Sequence, residues 1–317
     1  MSSVSTESPA YVRHALHNEE RTWAETNCYT DLLIELVHSM GHDPVAMLAF
    51  TLAIDFEGDQ WTFFKPSHFD LVALYGLDVQ ELAIWKAPLE HVAEQVAADH
   101  PVLIEVDSFW LPDTSGTAYR TTHQKTTVGV RQIDVERGSM AYFHNRGFYT
   151  VAGEDFARVF HFPSLPPYAE FVKPLPGFVP LTGGEQLELT LGMLKAHIAR
   201  VPPENPFMRF KARLSEDLEG LMAADIELFH KYSFATLRQY GACFELAETY
   251  LGWLGTKGVA GLEVPRSAFA SIAQTAKAFQ FQLARSMARR KPLDMEPLDT
   301  MGAQWEVGMT LLQSRYA

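Results

Sequence analysis

One stretch limits the fold more than any other. Residues 162–184, FPSLPPYAEFVKPLPGFVPLTGG, hold six prolines and three glycines. Proline lacks the amide that a helix interior needs and clashes with the preceding turn, so the stretch reads as a connector. It divides the chain into a tail over 1–20, a domain over 21–162 and a second domain over 185–317. Before the connector, helical and strand-like patterns are mixed. After it the patterns are almost all helical.

In the first domain, Leu32, Leu33, Leu36, Val37 and Met40 recur at helical spacing over 28–40, with Gly41 as the stop. Asp43-Pro44 opens a second helix to about Leu52, with Pro44 at the tolerated first position. Ser67 and Asp70 are spaced as a capping box for a helix ending at Gly76, and 88–100 is amphipathic. Strand patterns follow over 101–111, 123–134, 140–144 and 147–151. Helices first and antiparallel-looking strands afterwards is an α+β order, not βαβ alternation. The second domain reads as helices over 185–200, 207–224, 226–240, 242–254, 266–290 and 298–315, with Phe229, Phe234, Trp253, Phe279 and Phe281 as core.

Composition excludes several classes. A formal charge of −13 argues against a nucleic-acid surface, which needs a basic field. The apolar runs fall far short of the roughly 20 residues of a membrane span, and MSSVSTESPA lacks the order of a signal peptide. Two cysteines in 317 residues make no disulfide framework, so a reducing cytoplasm is the expected compartment.

Cys28 carries the chemical argument. If Asn27 caps the helix, Cys28 takes the first helical position, where unpaired amides and the positive end of the dipole favour a thiolate. The same amides can hold an oxyanion when that thiolate attacks a carbonyl. A nucleophilic thiol also needs a base, and the base an orienting group. His123 opens a β-patterned strand beside a loop, and Asn145 ends the next strand in YFHNRG. Adjacent antiparallel strands would set the two side by side, giving a Cys28–His123–Asn145 set.

These residues carry a resemblance. A helix-start cysteine, a strand-start histidine and an asparagine on the following strand resemble the papain-like cysteine hydrolases of the bacteriocin-leader peptidase type. The segments ETNCYTDLLIELVHSMGHDP, DFEGDQWTFFK, VDSFWLPDT, HQKTTVGV and YFHNRGFY are similar to a bacterial domain-of-unknown-function family related to the acyltransferase of butirosin biosynthesis. The resemblance implies a papain-like domain with Cys28 as nucleophile, His123 as base and Asn145 as orienter, followed by an all-helical domain. It implies acyl or aminoacyl transfer from a carrier-protein thioester to an amine. Phosphopantetheine enters only as the arm of the carrier, and no other cofactor is called for. Papain-like proteases place a glutamine six residues before the cysteine, and here that position is Thr22. Thioester aminolysis asks less of oxyanion stabilisation than peptide cleavage does, so acyl transfer leads, with a peptidase or amidase second. A non-catalytic carrier-binding scaffold is the third reading.

Other polar residues fall around this set. In DFEGDQWTFFK, the twelfth-position glutamate of a calcium loop is replaced by Pro66, so a turn into a strand is expected, with Asp59 and Gln60 lining the cleft. Asp107 and Asp113 lie beside the proposed site, and a buried aspartate must find donors. Glu35, His38 and His42 share a helix face, with His14 and His17 nearby, but the histidines read as solvated or capping groups, not metal ligands. Cys243 lies among apolar residues and reads as core. Arg285, Arg289, Arg290 and Lys291 form a basic cluster at a helix end, suited to an acidic acyl carrier protein or its phosphate.

Overall fold

A computed structural model describes residues 11–161 and 166–316. Half of the expected tail and the first residues of the proline-rich stretch lie outside the described residues. Helix α1 (Cys28–Ser39) leads into a 3-10 segment, Pro44–Ala53, and a short hairpin of β1 (Phe56–Glu57) and β2 (Gln60–Trp61). Helix α2 (His68–Tyr75), strand β3 (Leu77–Glu81), helix α3 (Pro88–Ala97) and strand β4 (Val102–Asp107) follow. Next come β5 (Lys125–Asp134), β6 (Ser139–His144), β7 (Gly147–Ala152), α4 (Gly153–Val159) and β8 (Ala169–Pro174). The remainder is helical: α5 (Gly183–Ile198), α6 (Pro206–Ala223), α7 (Ile226–Ser233), α8 (Gln239–Thr256), α9 (Glu263–Arg289) and α10 (Glu296–Tyr316).

The chain forms two compact units, and their boundary differs from the expected one. The first takes residues up to Glu19, Asn27–Pro44 and Ser67–Pro180. The second takes Glu20–Thr26, Val45–Pro66 and Leu181 onwards. The connector also needs correcting, because residues 169–174 inside it form β8, an interior strand between β3 and β4. Proline is tolerated there because it ends the strand at Pro174 and does not interrupt it. Of two smaller expectations, one holds and one changes. The helix expected after Pro44 is present as a 3-10 helix, and Ser67 makes no side-chain cap.

The first unit is built on an antiparallel six-stranded sheet in the order β3-β8-β4-β5-β6-β7. Its two faces are separated by strand alternation. Ile104, Val106, Val128, Val130, Met140 and Tyr142 point to one face and pack with Val92 of α3 and Phe156 and Val159 of α4. Glu170, Leu103, Gly129 and Phe143 lie in one register row on the other face. Helix α1 covers that face, with Leu32 over Gly129. The helix is buried nearly all round, with Leu32, Leu33, Ile34, Leu36 and Val37 among its buried residues. Each such side chain contributes about 1.5–3 kcal/mol relative to exposure, so α1 is held mainly by packing. Gly41, at φ 83°, ends it.

The second unit is a helical array whose boundaries match the sequence pattern within a few residues. The reading of 226–240 as one helix needs a refinement, since a π-turn over Phe234–Arg238 joins α7 to α8. Phe207, Phe210, Tyr240, Phe244, Phe269 and Phe279 form its aromatic core, and Trp61 from the hairpin packs onto Phe207, Phe210 and Tyr240. Phe229 is buried as expected, but Phe234 and Phe281 are exposed and Trp253 is half-buried. Helical spacing alone misplaces them, because their neighbours on α7 and α9 set which stripe faces inward. Cys243 is core: its thiol donates to the Thr51 carbonyl at 3.3 Å, and burial pushes its pKa up.

Candidate active site

The start of α1 has the geometry its sequence implies. Asn27 Oδ1 accepts the Thr30 amide at 2.9 Å, so Asn27 is the cap and Cys28 the first helical residue. Cys28 is part-exposed. Next to it, the Tyr29 hydroxyl donates to Glu170 at 2.6 Å. That bond ties the first turn to β8, at the row where Glu170 faces Leu103 of β4. Glu170 is fully buried, and Tyr168 supplies a second hydroxyl at 2.8 Å. Burial, with the Glu170 charge behind it, pushes the Tyr29 phenol well above its ordinary pKa and keeps it a donor.

Strand β4 carries Leu103, Glu105 and Asp107 on the α1 face by alternation, and it opens to solvent toward its end. Asp107 accepts the Phe109 amide at 3.0 Å through Oδ1, and its Oδ2 lies 2.5 Å from His123 Nδ1. The imidazole stacks on the Phe109 ring with centroids 4.2 Å apart. A carboxylate on one ring nitrogen fixes the orientation of the imidazole and leaves the other nitrogen to take or give a proton. His123 is therefore held in the manner a general base requires.

Asn145 stands elsewhere. Gly129 of β5 faces Phe143 of β6, so the register carries Asn145, two residues past Phe143, toward Thr127 and not toward His123. The offset is four residues, about 13 Å at strand spacing. Asn145 sits in the tight turn between β6 and β7 at φ 47°, a conformation asparagine tolerates. The side-by-side placement of His123 and Asn145 is thus corrected, and the group against His123 is Asp107. Asp59 and Gln60 are exposed in the hairpin of the second unit. Arg285 and Arg289 lie on the last turns of α9, Arg290 is its left-handed cap at φ 50°, and Lys291 follows. All four are exposed, and none has an ion-pair partner among the described residues.

Two polar networks go beyond what the sequence reading anticipates. Glu35 and Asp31, both buried, bracket His17: its Nδ1 meets Glu35 and its Nε2 lies 3.2 Å from Asp31. Tyr11 and the His14 amide also bond Glu35. Of the histidines read as solvated or capping, His17 is therefore neither, while His14 does cap, its Nδ1 accepting the Leu16 amide at 3.2 Å. The second network lies on the opposite sheet face from α1, where His144 and Asp113 meet at 2.5 Å. The sequence carries a signal for it, since His144 is in phase with inward-pointing Met140 and Tyr142, and a buried imidazole must find partners.

The chain is thus a two-unit α+β protein, with a capped helix-start cysteine and carboxylate-held histidines around one antiparallel sheet. Family models place it more closely. Residues 12–174 match the DUF1839 N-terminal domain and residues 184–314 the DUF1839 C-terminal domain. The chain belongs to the DUF1839 family. No curated protein matches it.

Proposed function

We propose that this protein is a cysteine-dependent acyl transferase of papain-like descent. The observation that carries the reading is the 2.5 Å contact between His123 and Asp107 on the sheet face that α1 covers with Cys28 at its start. In this reading Cys28 Sγ attacks the carbonyl carbon of a carrier-protein thioester, with the Cys28 amide at the start of α1 receiving the oxyanion. The carbon–sulfur bond to the carrier arm breaks, and the arm leaves as a thiol with the proton that His123 took from Cys28. An amine then attacks the acyl-Cys28 thioester, His123 accepts the amine proton, and Cys28 returns as the leaving group. Asp107 takes the orienting role that the sequence resemblance gives to Asn145. The exposed cations Arg285, Arg289, Arg290 and Lys291 suit the acidic surface or phosphate of the carrier.

The test is intact mass after incubation with a short-chain acyl thioester on a phosphopantetheinylated carrier protein. One acyl adduct is expected, absent from Cys28→Ala and formed at least about 100-fold more slowly in His123→Ala. Peptide cleavage without an adduct would favour a peptidase. Carrier binding with neither adduct nor cleavage would leave a scaffold.

A further inference from the structure

A second hydroxyl-to-carboxylate chain runs through the first unit on the face away from α1. Thr126 Oγ1 lies 2.8 Å from His144 Nε2, His144 Nδ1 lies 2.5 Å from Asp113 Oδ2, and the Tyr142 hydroxyl donates to Asp113 Oδ1 at 2.5 Å. The order nucleophile, imidazole, carboxylate is that of a hydrolase triad, in which roles are recognised by geometry and not by chain position. We propose that Thr126, His144 and Asp113 form a second nucleophilic site, one that takes acyl groups from neutral activated esters or thioesters.

The polarity of the bonds supports it. Burial and the Asp113 charge push the Tyr142 phenol well above its ordinary pKa, so Tyr142 donates to Asp113. Asp113 then accepts from both Tyr142 and His144 Nδ1–H, which leaves the lone pair of the imidazole on Nε2, toward Thr126. Among the described residues, the Thr126 hydroxyl has His144 as its hydrogen-bond partner and no other. His144 and Asp113 side chains are 2% and 3% exposed, while Thr126 is part-exposed near the start of β5. The base is thus shielded from water and the nucleophile is reachable. The Asp155 carboxylate also faces Tyr142, but Arg120 pairs with it and with Glu154, so these side chains leave little net charge beside the site and suit a neutral carbonyl.

In the acylation step Thr126 Oγ1 bonds to the carbonyl carbon while its proton passes to His144 Nε2. The bond to the leaving alcohol or thiol breaks, and the leaving group takes that proton. Water, deprotonated by His144, then splits the threonyl ester into carboxylic acid and free Thr126. Thr126 and His144 are the reacting groups, and Asp113 and Tyr142 are positioning residues.

A fluorophosphonate probe on the full chain, followed by peptide mass mapping, tests this directly. Attack by Thr126 would displace fluoride and leave a phosphonyl ester on Thr126. The label is expected on wild type, on Thr126→Ser and on Cys28→Ala, absent from Thr126→Val, and at least about 100-fold slower in His144→Gln. Its survival in Cys28→Ala separates this site from the acyl transfer proposed for Cys28. If neither wild type nor folded Thr126→Ser takes a label at residue 126, the proposal is overturned and the network is structural.

Discussion

The first unit holds two imidazole–carboxylate pairs that share one contact distance and differ in almost everything else. His123–Asp107 and His144–Asp113 each meet at 2.5 Å through Nδ1. The His123 side chain is 68% exposed and that of His144 is 2% exposed. In solvent such a pair adds about 0–1 kcal/mol to stability, because water screens it and both side chains lose freedom. In the interior its net worth is small as well, but loss of one partner strands the other without water to replace it. Distance therefore says little about role. Exposure decides which pair can be altered at modest structural cost, and which one the fold cannot lose.

The largest expected effect breaks the buried pair. Asp113→Ala leaves His144 Nδ1 and the Tyr142 hydroxyl without an acceptor in the sheet core. Chemical denaturation should show a loss of roughly 3–5 kcal/mol. A loss below about 1 kcal/mol would mean that water or a rotamer change satisfies both groups, and the contrast between the two pairs would collapse.

The next effect uses a third imidazole, buried His17. Burial by itself lowers its pKa, but the hydrogen bonds and charges of Asp31 and Glu35 outweigh burial and raise it from 6.5 to about 9. A folded-state value above the unfolded one means that the contribution is complete below about pH 6.5. It is lost as pH rises through about 9. The shift corresponds to roughly 3 kcal/mol. Stability measured by denaturant between pH 6 and 10 should fall across that window, and His17→Gln should flatten the slope. An unchanged slope in His17→Gln would assign the fall to other groups.

How much of the molecule is legible in its sequence follows the range of the interactions. Asn27 and Cys28 can be placed correctly because a cap is a local matter of three residues, and the helices of the second unit follow from periodicity. Strands β3 and β8 escape such a reading because they pair with each other across some ninety residues of chain, and the prolines around β8 mask Ala169 and Val172. The fault in the candidate site is of the same kind. His123 and Asn145 can be assigned to the right neighbourhoods, but their separation depends on register, which alternation alone does not set. Asp107 reads as a cleft residue in the sequence and holds His123 in the fold, because a loop brings residue 123 back beside residue 107.

The smallest structural effect is the most informative for function. Asp107 does two separable things: Oδ1 caps the Phe109 amide and Oδ2 holds His123. Asparagine keeps a carbonyl oxygen for the amide and replaces the charged oxygen with a donor. Asp107→Asn should therefore change stability by less than about 1 kcal/mol, since the lost pair is solvent-exposed. Acylation of Cys28 should nevertheless slow by at least about 10-fold, because His123 loses the acceptor that fixes its orientation. Cys28→Ala should be equally mild for folding, being a part-exposed position, within about 1 kcal/mol. A fall in acylation with stability intact marks Asp107 as positioning the base. Equal loss of both would make the exposed pair structural, like its buried counterpart, and would leave Cys28 without an assigned base.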